Sequence, residues 1–344
     1  MTLQLTIVVP AFNEASRLAA GKRRFDAAVT AGAIDLERTE LVLVDDGSTD
    51  GTADVADKLL AALPHRRVVR LPFNQGKGAA VRAGILASRA TYTAYMDADM
   101  AIDPMAVPLL LEGLESHDVA IGCRALPDSM VETTYMVRSF MGRLFNGVVT
   151  AGTGLGLKDT QCGFKGFRTP AARLLFHLVR IDRFAFDVEI LARARRLGLT
   201  ITELPVHWKH VEGSTVHPLH DSFTMVADVY RSRRGHLSGP PVPAITVGPA
   251  DPGSASEPGL AERVSNLLPD LLDGAPVPVV SHGRGVVVLL AMVDPARVEL
   301  AHAALQDQLA PLVVTRSALT IDDLAALGPL SGRLGTAAPS GTGG

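Results

Sequence analysis

The chain has 344 residues, of which 47% are hydrophobic and 20% charged, with a formal net charge of −3. That balance is ordinary for a globular protein that buries a sizeable core, and it leaves no basic footprint for nucleic acid. The two cysteines, Cys123 and Cys162, lack any paired metal spacing, so reduced thiols in a cytoplasmic protein are expected. The chain opens without a basic region and apolar stretch, so no secretory signal is expected. The best membrane-spanning candidate, residues 286–293, lies between Arg284 and Asp294. It falls well short of the ~20 apolar residues a spanning helix needs.

Leu5-Thr6-Ile7-Val8-Val9 is a short β-branched run and reads as a buried strand. Pro10-Ala11-Phe12-Asn13-Glu14 follows it, and a helical pattern begins near Ala15. A second buried strand, Leu41-Val42-Leu43-Val44, runs into Asp45-Asp46-Gly47-Ser48-Thr49-Asp50-Gly51-Thr52. That segment turns on Gly47 and offers Ser48, Thr49 and Asp50 as caps for the next helix. Val68-Val69-Arg70-Leu71 predicts a third strand, followed by Asn74-Gln75-Gly76-Lys77-Gly78 and a helix over 79–88. Tyr92 to Met96 is the fourth strand, and Asp97-Ala98-Asp99 leaves its end. Strands thus alternate with helices, as in an open, mostly parallel α/β sheet. Such sheets bind ligands at the carboxyl ends of their strands. Here those ends carry Glu14, Asp45, Lys77, Asp97 and Asp99.

Two carboxylates one residue apart can hold a hard divalent cation that also takes phosphate oxygens. An isolated Asp-x-Asp is more often a solvated loop, but here it stands in the company of the other strand ends. Lys77 between two glycines invites a P-loop reading. The glycine spacing and the absence of Ser or Thr after the lysine exclude it. The glycines are expected instead to allow close backbone approach to the base or ribose. Asp46 and Asp50 are expected to act in the turn and the helix cap.

Together these motifs resemble the glycosyltransferase family 2 pattern with the GT-A fold. Within it they resemble the dolichyl-phosphate glucosyltransferase and polyprenyl-phosphate glycosyltransferase group. The resemblance continues through Asp159-Thr160-Gln161-Cys162-Gly163-Phe164-Lys165-Gly166-Phe167, Phe186-Asp187-Val188-Glu189 and the stretch 208–216, covering roughly residues 4–235. It implies a Rossmann-like, mostly parallel sheet flanked by helices. It also implies an inverting transfer of a hexose, glucose favoured, from a nucleotide-diphospho-sugar with Mg²⁺ or Mn²⁺. UDP-glucose is the favoured donor and GDP-mannose the other candidate. The implied donor site is Pro10, Ala11, Phe12, Glu14, Asp45, Lys77, Gly78, Asp97, Ala98 and Asp99. Asp97 and Asp99 would ligate the metal, with His210 a further candidate ligand. Asp159 and Lys165 join Asp97 and Asp99 as candidate catalytic residues on a loop facing the donor sugar.

The acceptor decides the rest of the chemistry. A hydroxyl needs a general base, and Asp187 or Glu189 would then be the candidate. A phosphomonoester is its own nucleophile and needs cations, for which Arg124, Arg138 and Lys165 are the candidates. Arg143 and Arg168 lie in the same stretch. Met136, Phe140, Met141, Leu144 and Phe145 recur at helical spacing, either as core or as an interfacial, prenyl-binding face. A lipid-linked acceptor would require peripheral membrane contact. The alternatives are the same chemistry on a soluble acceptor and a non-catalytic nucleotide-sugar-binding protein.

A boundary is expected after Gly235. Residues 236–259 are rich in Pro, Gly, Ser and Ala and read as a linker. Residues 260–330 regain pattern as a small α/β appendage, a packing or oligomerisation module by default. Residues 331–344 read as a disordered tail. The GT-A unit would be residues 1–235.

Overall fold

The structure is a computed structural model that describes residues 3–132, 155–209, 240–249, 257–272, 277–291 and 293–331. The amino-terminal half alternates β1 (Leu5–Ala11), α1 (Leu18–Thr30), β2 (Thr39–Asp45), α2 (Thr52–Leu60), β3 (Arg66–Arg70), α3 (Lys77–Ala87) and β4 (Tyr92–Met96). A 3₁₀ turn at Pro104–Ala106 leads to α4 (Val107–Ser116), β5 (Val119–Cys123) and β6 (Met130–Glu132). Then come β7 (Phe164–Arg168), α5 (Thr169–Leu178), α6 (Phe186–Arg196), β8 (Ile201–Pro205) and β9 (His207–Lys209).

The main sheet runs β3-β2-β1-β4-β7-β5-β8. All its pairings are parallel except those of β7, which is antiparallel to both β4 and β5. Every residue of β1 and β2 is buried, because helices cover both faces of the sheet. Continuous apolar runs, not alternating ones, are the consequence. Val8, Val42, Val44 and Tyr95 face one core, and Ile7, Val9, Leu43 and Met96 the other. The reversed direction of β7 matters for the site. It places the start of β7 at the same edge as the end of β4, with Phe164 opposite Met96.

The carboxyl-terminal part corrects one expectation. Residues 242–248, inside the expected linker, form β10 (Val242–Gly248), a central strand of a second sheet. It is followed by α7 (Leu260–Leu271), β11 (Val279–His282), β12 (Gly285–Leu289), α8 (Pro295–Gln308), β13 (Val313–Leu319) and α9 (Ile321–Ala326). The order β11-β12-β10-β13, antiparallel throughout, makes β10 to β13 a β-α-β-β-α-β unit of the ferredoxin-like kind. Its strands alternate cleanly. Ile245, Val247, Val286 and Val288 face α7 and α8, while Val242, Ala244, Val287 and Leu289 join the core that contains α5 and α6. Residues 286–289 of the run 286–293 belong to strand β12. No helix among the described residues is long and apolar enough to cross a membrane. The expected tail beyond residue 331 lies outside the described residues.

Candidate active site

The carboxyl ends of three neighbouring parallel strands, β1, β2 and β4, lie at one edge of the sheet. The loops leaving β1 and β2 are stitched together. The Asn13 amide donates to Ser48 Oγ at 2.9 Å, and the Thr49 amide donates to Asn13 Oδ1 at 3.0 Å. The Glu14 amide donates to Thr52 Oγ1 at 2.8 Å, and the Ala15 amide to Asp50 Oδ2 at 3.1 Å. Asn13 holds φ +53°, a left-handed conformation that asparagine tolerates better than most residues. Asp50 also accepts from the Thr52 amide at 3.0 Å in the turn that leads into α2, whose N-cap is Gly51.

Asp45 and Asp46 differ as the sequence leads one to expect. Asp46 is pinned: it accepts from the Gln75 and Gly76 amides at 2.8 Å each and from Asn74 Nδ2 at 3.1 Å. It therefore ties the turn after β2 to the Asn74-Gln75-Gly76 loop. Burial raises its pKa against those bonds. Gly47, at φ +71°, lies against Phe73, where a Cβ would come within 2.5 Å of the Phe73 Cα. Asp45, also buried, accepts from the Ser48 amide at 3.2 Å.

Gly76 and Gly78 require correction. A Cβ on Gly78 would lie 2.7 Å from the Ile181 carbonyl oxygen and 2.9 Å from Phe186 Cβ. A Cβ on Gly76 would overlap the Asp182 backbone. These glycines let α3 approach the 181–182 loop of the protein itself, a packing role that the motif reading did not include. Pro10 and Ala11 are buried within β1, so their side chains serve the sheet. Phe12, one residue beyond, is 40% exposed.

Lys77, at the start of α3, reaches Asp97, with Nζ 2.6 Å from Oδ1. Burial pulls its pKa down, but Asp97, Asp187 and Asp99 outweigh that and raise it, so it stays an ammonium. The Asp97 side chain is 39% exposed, and Ala98 beside it is buried. Asp99 accepts from the Ala101 amide at 3.0 Å in a turn where Met100 holds φ +49°. Burial, then the neighbouring Asp97 charge, raises the Asp99 pKa. Glu14 is raised by burial too, its bonds to Arg17 only partly offsetting that, with Asp99 and Asp97 adding to the rise. Glu14, Asp97 and Asp99 thus form an acidic cluster that Arg17 and Lys77 partly neutralise. Among the described residues no set of three His, Cys, Asp or Glu converges on a metal position. Two exposed-to-half-buried carboxylates on one turn, all oxygen, nonetheless fit a hard cation whose other positions go to phosphate oxygens and water. His210 and Arg138 lie outside the described residues, as do the apolar positions from Met136 to Phe145.

The Asp159–Phe167 segment reaches the same edge because β7 starts there. Gly163 packs against Asp97 so closely that a Cβ would come 2.5 Å from the Asp97 Cγ and overlap its oxygens. Asp159 forms a bidentate pair with Arg124, Oδ2 to Nε at 2.7 Å and Oδ1 to Nη2 at 2.9 Å. Burial works against the Asp159 carboxylate, but Arg124 wins and lowers its pKa. Lys165 does not reach solvent at that edge. Its side chain is wholly buried against Asp187, which corrects its reading as an acceptor-facing cation. Glu189 is likewise buried, accepting from Arg193 and from the Arg180 and Ile181 amides. Neither Asp187 nor Glu189 presents a free carboxylate for a general base. Burial pushes the Cys162 thiol up to about 12, so it stays neutral.

Residues 6–176 match the model of the family described as "Glycosyl transferase family 2". The dolichyl-phosphate beta-glucosyltransferase of Dictyostelium discoideum is 35% identical over 251 residues, 69% of this chain and 76% of that protein. The chain belongs to glycosyl transferase family 2. Dolichyl-phosphate beta-glucosyltransferases of Mus musculus and Saccharomyces cerevisiae are each 34% identical, covering 69% and 68% of this chain and 77% and 75% of those proteins. Among solved structures, glucosyl-3-phosphoglycerate synthase from Mycobacterium tuberculosis, in complex with Mn²⁺, UDP and phosphoglyceric acid, superposes with a TM-score of 0.51. It is 20% identical and covers 70% of this chain and 82% of its own, a likeness of fold. The family 2 glycosyltransferase is an enzyme with the GT-A fold, and the ferredoxin-like unit is an addition to it.

Proposed function

We propose that this glycosyltransferase moves glucose from UDP-glucose to a dolichyl or other polyprenyl phosphate, with inversion at the anomeric carbon. The observation that carries the reading is the identity to dolichyl-phosphate beta-glucosyltransferases, 35% over 76% of one of them, reaching past the donor cleft into the Asp159–Phe167 segment. Glu14 and Asp45 line the strand ends where a nucleoside would sit, and a carboxylate there can accept from ribose hydroxyls or a base N–H. Asp97 and Asp99 would hold Mg²⁺ or Mn²⁺. Bound there, the cation would offset the charge that develops on the leaving diphosphate. Lys77, next to Asp97, adds a fixed positive charge on the same side.

In the transfer, an oxygen of the acceptor phosphate attacks the anomeric carbon as the bond to the nucleotide diphosphate breaks, and UDP leaves with that electron pair. A phosphomonoester is largely ionised near neutral pH, since its second pKa is about 6. No residue has to remove a proton. The burial and pairing of Asp187 and Glu189 are in keeping with that. Arg124, with 35% of its side chain exposed beside Asp159, is the described cation we place toward the acceptor phosphate. A lipid acceptor also requires the enzyme to meet a membrane surface.

The test is incubation with UDP-glucose and a short-chain dolichyl phosphate in Mg²⁺ or Mn²⁺, read by mass spectrometry. A glucosyl phospholipid product is expected. Its absence with UDP-glucose and GDP-mannose alike, together with a product from a panel of soluble acceptors, would overturn the acceptor.

A further inference from the structure

Behind the Asp97-Ala98-Asp99 turn lies a closed polar network that the transfer chemistry itself does not use. Lys165 Nζ donates to Asp187 Oδ1 at 2.6 Å and to the Cys162 carbonyl oxygen at 2.6 Å. The Tyr95 hydroxyl donates to the same Asp187 oxygen. Tyr95 and Lys165 are cross-strand partners on β4 and β7, and Lys165 Nζ sits 5.7 Å from the Tyr95 ring centroid. The Lys165 and Asp187 side chains are only 0% and 4% exposed. Three segments meet here: the end of β4, the Cys162-Gly163 turn and the first turn of α6.

A buried ion pair is a poor source of net stability, because apolar side chains of similar volume do as well or better. What the ammonium supplies, and an apolar chain cannot, is a directed bond to the Cys162 carbonyl. That bond fixes the turn whose next residue, Gly163, lies directly against the Asp97 carboxylate. With Gly163 on one side and Lys77 Nζ on the other, the Asp97 carboxylate is held between two fixed walls.

We propose that Lys165 and Asp187 are positioning residues for the donor-diphosphate site. They pin the Cys162-Gly163 turn and thereby set the orientation in which Asp97 meets a divalent cation. The inference rests on the donor-site reading above. It assigns Asp187, which begins α6 where a base could be sought, to geometry and not to proton transfer.

The experiment uses the full chain and titrates UDP calorimetrically, once in EDTA and once in Mn²⁺. The double variant Lys165→Met/Asp187→Leu removes both charges together and leaves no orphaned buried ion. It should melt within a few degrees of wild type and bind UDP in EDTA within about twofold of wild type. The tightening of UDP binding by Mn²⁺ should fall at least tenfold. Gly163→Ala, which pushes on Asp97 without touching the pair, should reproduce that loss. Mn²⁺-dependent tightening that survives intact in the folded double variant overturns the proposal. Should the double variant not fold, intact tightening in Gly163→Ala overturns it instead. If wild-type affinity for UDP ignores Mn²⁺, the donor-site reading fails, and this inference fails with it. Normal wild-type tightening that persists in the variants refutes the positioning role alone.

Discussion

Truncation after Gly235 is the perturbation that most sharply separates sequence from structure. The Pro- and Gly-rich stretch that follows reads as a linker with few contacts across it, and a linker would let the amino-terminal unit fold alone. The structure predicts the opposite. Helix α5 contacts β4 and β7 on one side and β10 on the other, and Leu174, Leu175 and Leu178 are all fully buried. The end of α6 is clasped as well. The Leu330 amide donates to the Leu197 carbonyl at 3.0 Å, Arg196 pairs with Asp322, and Gly198 leaves room for Pro329. Cutting the chain uncovers this side. At about 1.5–3 kcal/mol for each leucine-sized side chain returned to water, even one or two uncovered on the β10 side cost roughly 1.5–6 kcal/mol. A domain's whole stability is about 5–15 kcal/mol. The truncated protein should therefore be insoluble, or melt without a cooperative transition, in calorimetry beside the full chain. A monomeric product that melts cooperatively within a few degrees of the full chain would refute the shared core.

Three further outcomes follow from the site. Asp99→Ala should abolish transfer and metal-dependent donor binding while leaving the melting temperature nearly unchanged, since Asp99 sits on a loop; activity that persists in the variant or in EDTA would remove the metal assignment. Asp45→Asn should weaken UDP-glucose binding by roughly 1–3 kcal/mol, the range for a charge-assisted bond, whereas Asp46→Asn should act first on stability, because Asp46 holds the Asn74–Gly76 loop; calorimetry and thermal melts giving the reverse would exchange the two roles. The Asp159 carboxylate, lowered in the fold, stabilises the protein above the ordinary aspartate value of about 3.9 and loses that contribution only as pH falls through its lower folded value. Arg124→Met should therefore move the acid-unfolding midpoint upward; an unchanged midpoint would mean that the pair contributes nothing to acid stability.

The main sheet was legible because a strand buried on both faces writes itself as an unbroken apolar run, as in β1 and β2. Tyr92–Met96 was bounded correctly for the same reason, and Asp97 and Asp99 were placed at its end. Asp46 was read correctly as a structural residue, since its partners Gln75 and Gly76 belong to the next polar loop in the chain. The antiparallel β7 was not legible. Phe164–Arg168 is five residues with glycine and two cations, and its lysine is buried only because Asp187, 22 residues on, neutralises it. Sequence shows a charge and reads solvent. The same limit applies to Gly76 and Gly78, whose close neighbour is a backbone about a hundred residues away. Strand β10 was hidden by three prolines, the flanking Pro240 and Pro241 and the internal Pro243. Its pairing with both β12 and β13 overrides that local signal.

The buried carboxylates also bear on what kind of acceptor the cleft can serve. A sugar or glycerate hydroxyl must lose a proton as it attacks, and a base for it must be within reach of the anomeric carbon with a lone pair free. Asp187 gives one oxygen to both Lys165 and Tyr95, and Glu189 serves Arg193 and two backbone amides. Freeing either would strand a buried cation, at a cost of about 3–5 kcal/mol for breaking such a pair. Asp159 is held by both arms of Arg124. The less buried Asp97 and Asp99 sit on the turn after β4, where the proposed function puts the cation and the leaving diphosphate. Asp159, Asp187 and Glu189, the carboxylates on the β7 and α6 side, are thus each already committed to a cation. An acceptor that arrives already ionised fits that distribution of charge, and a phosphate does.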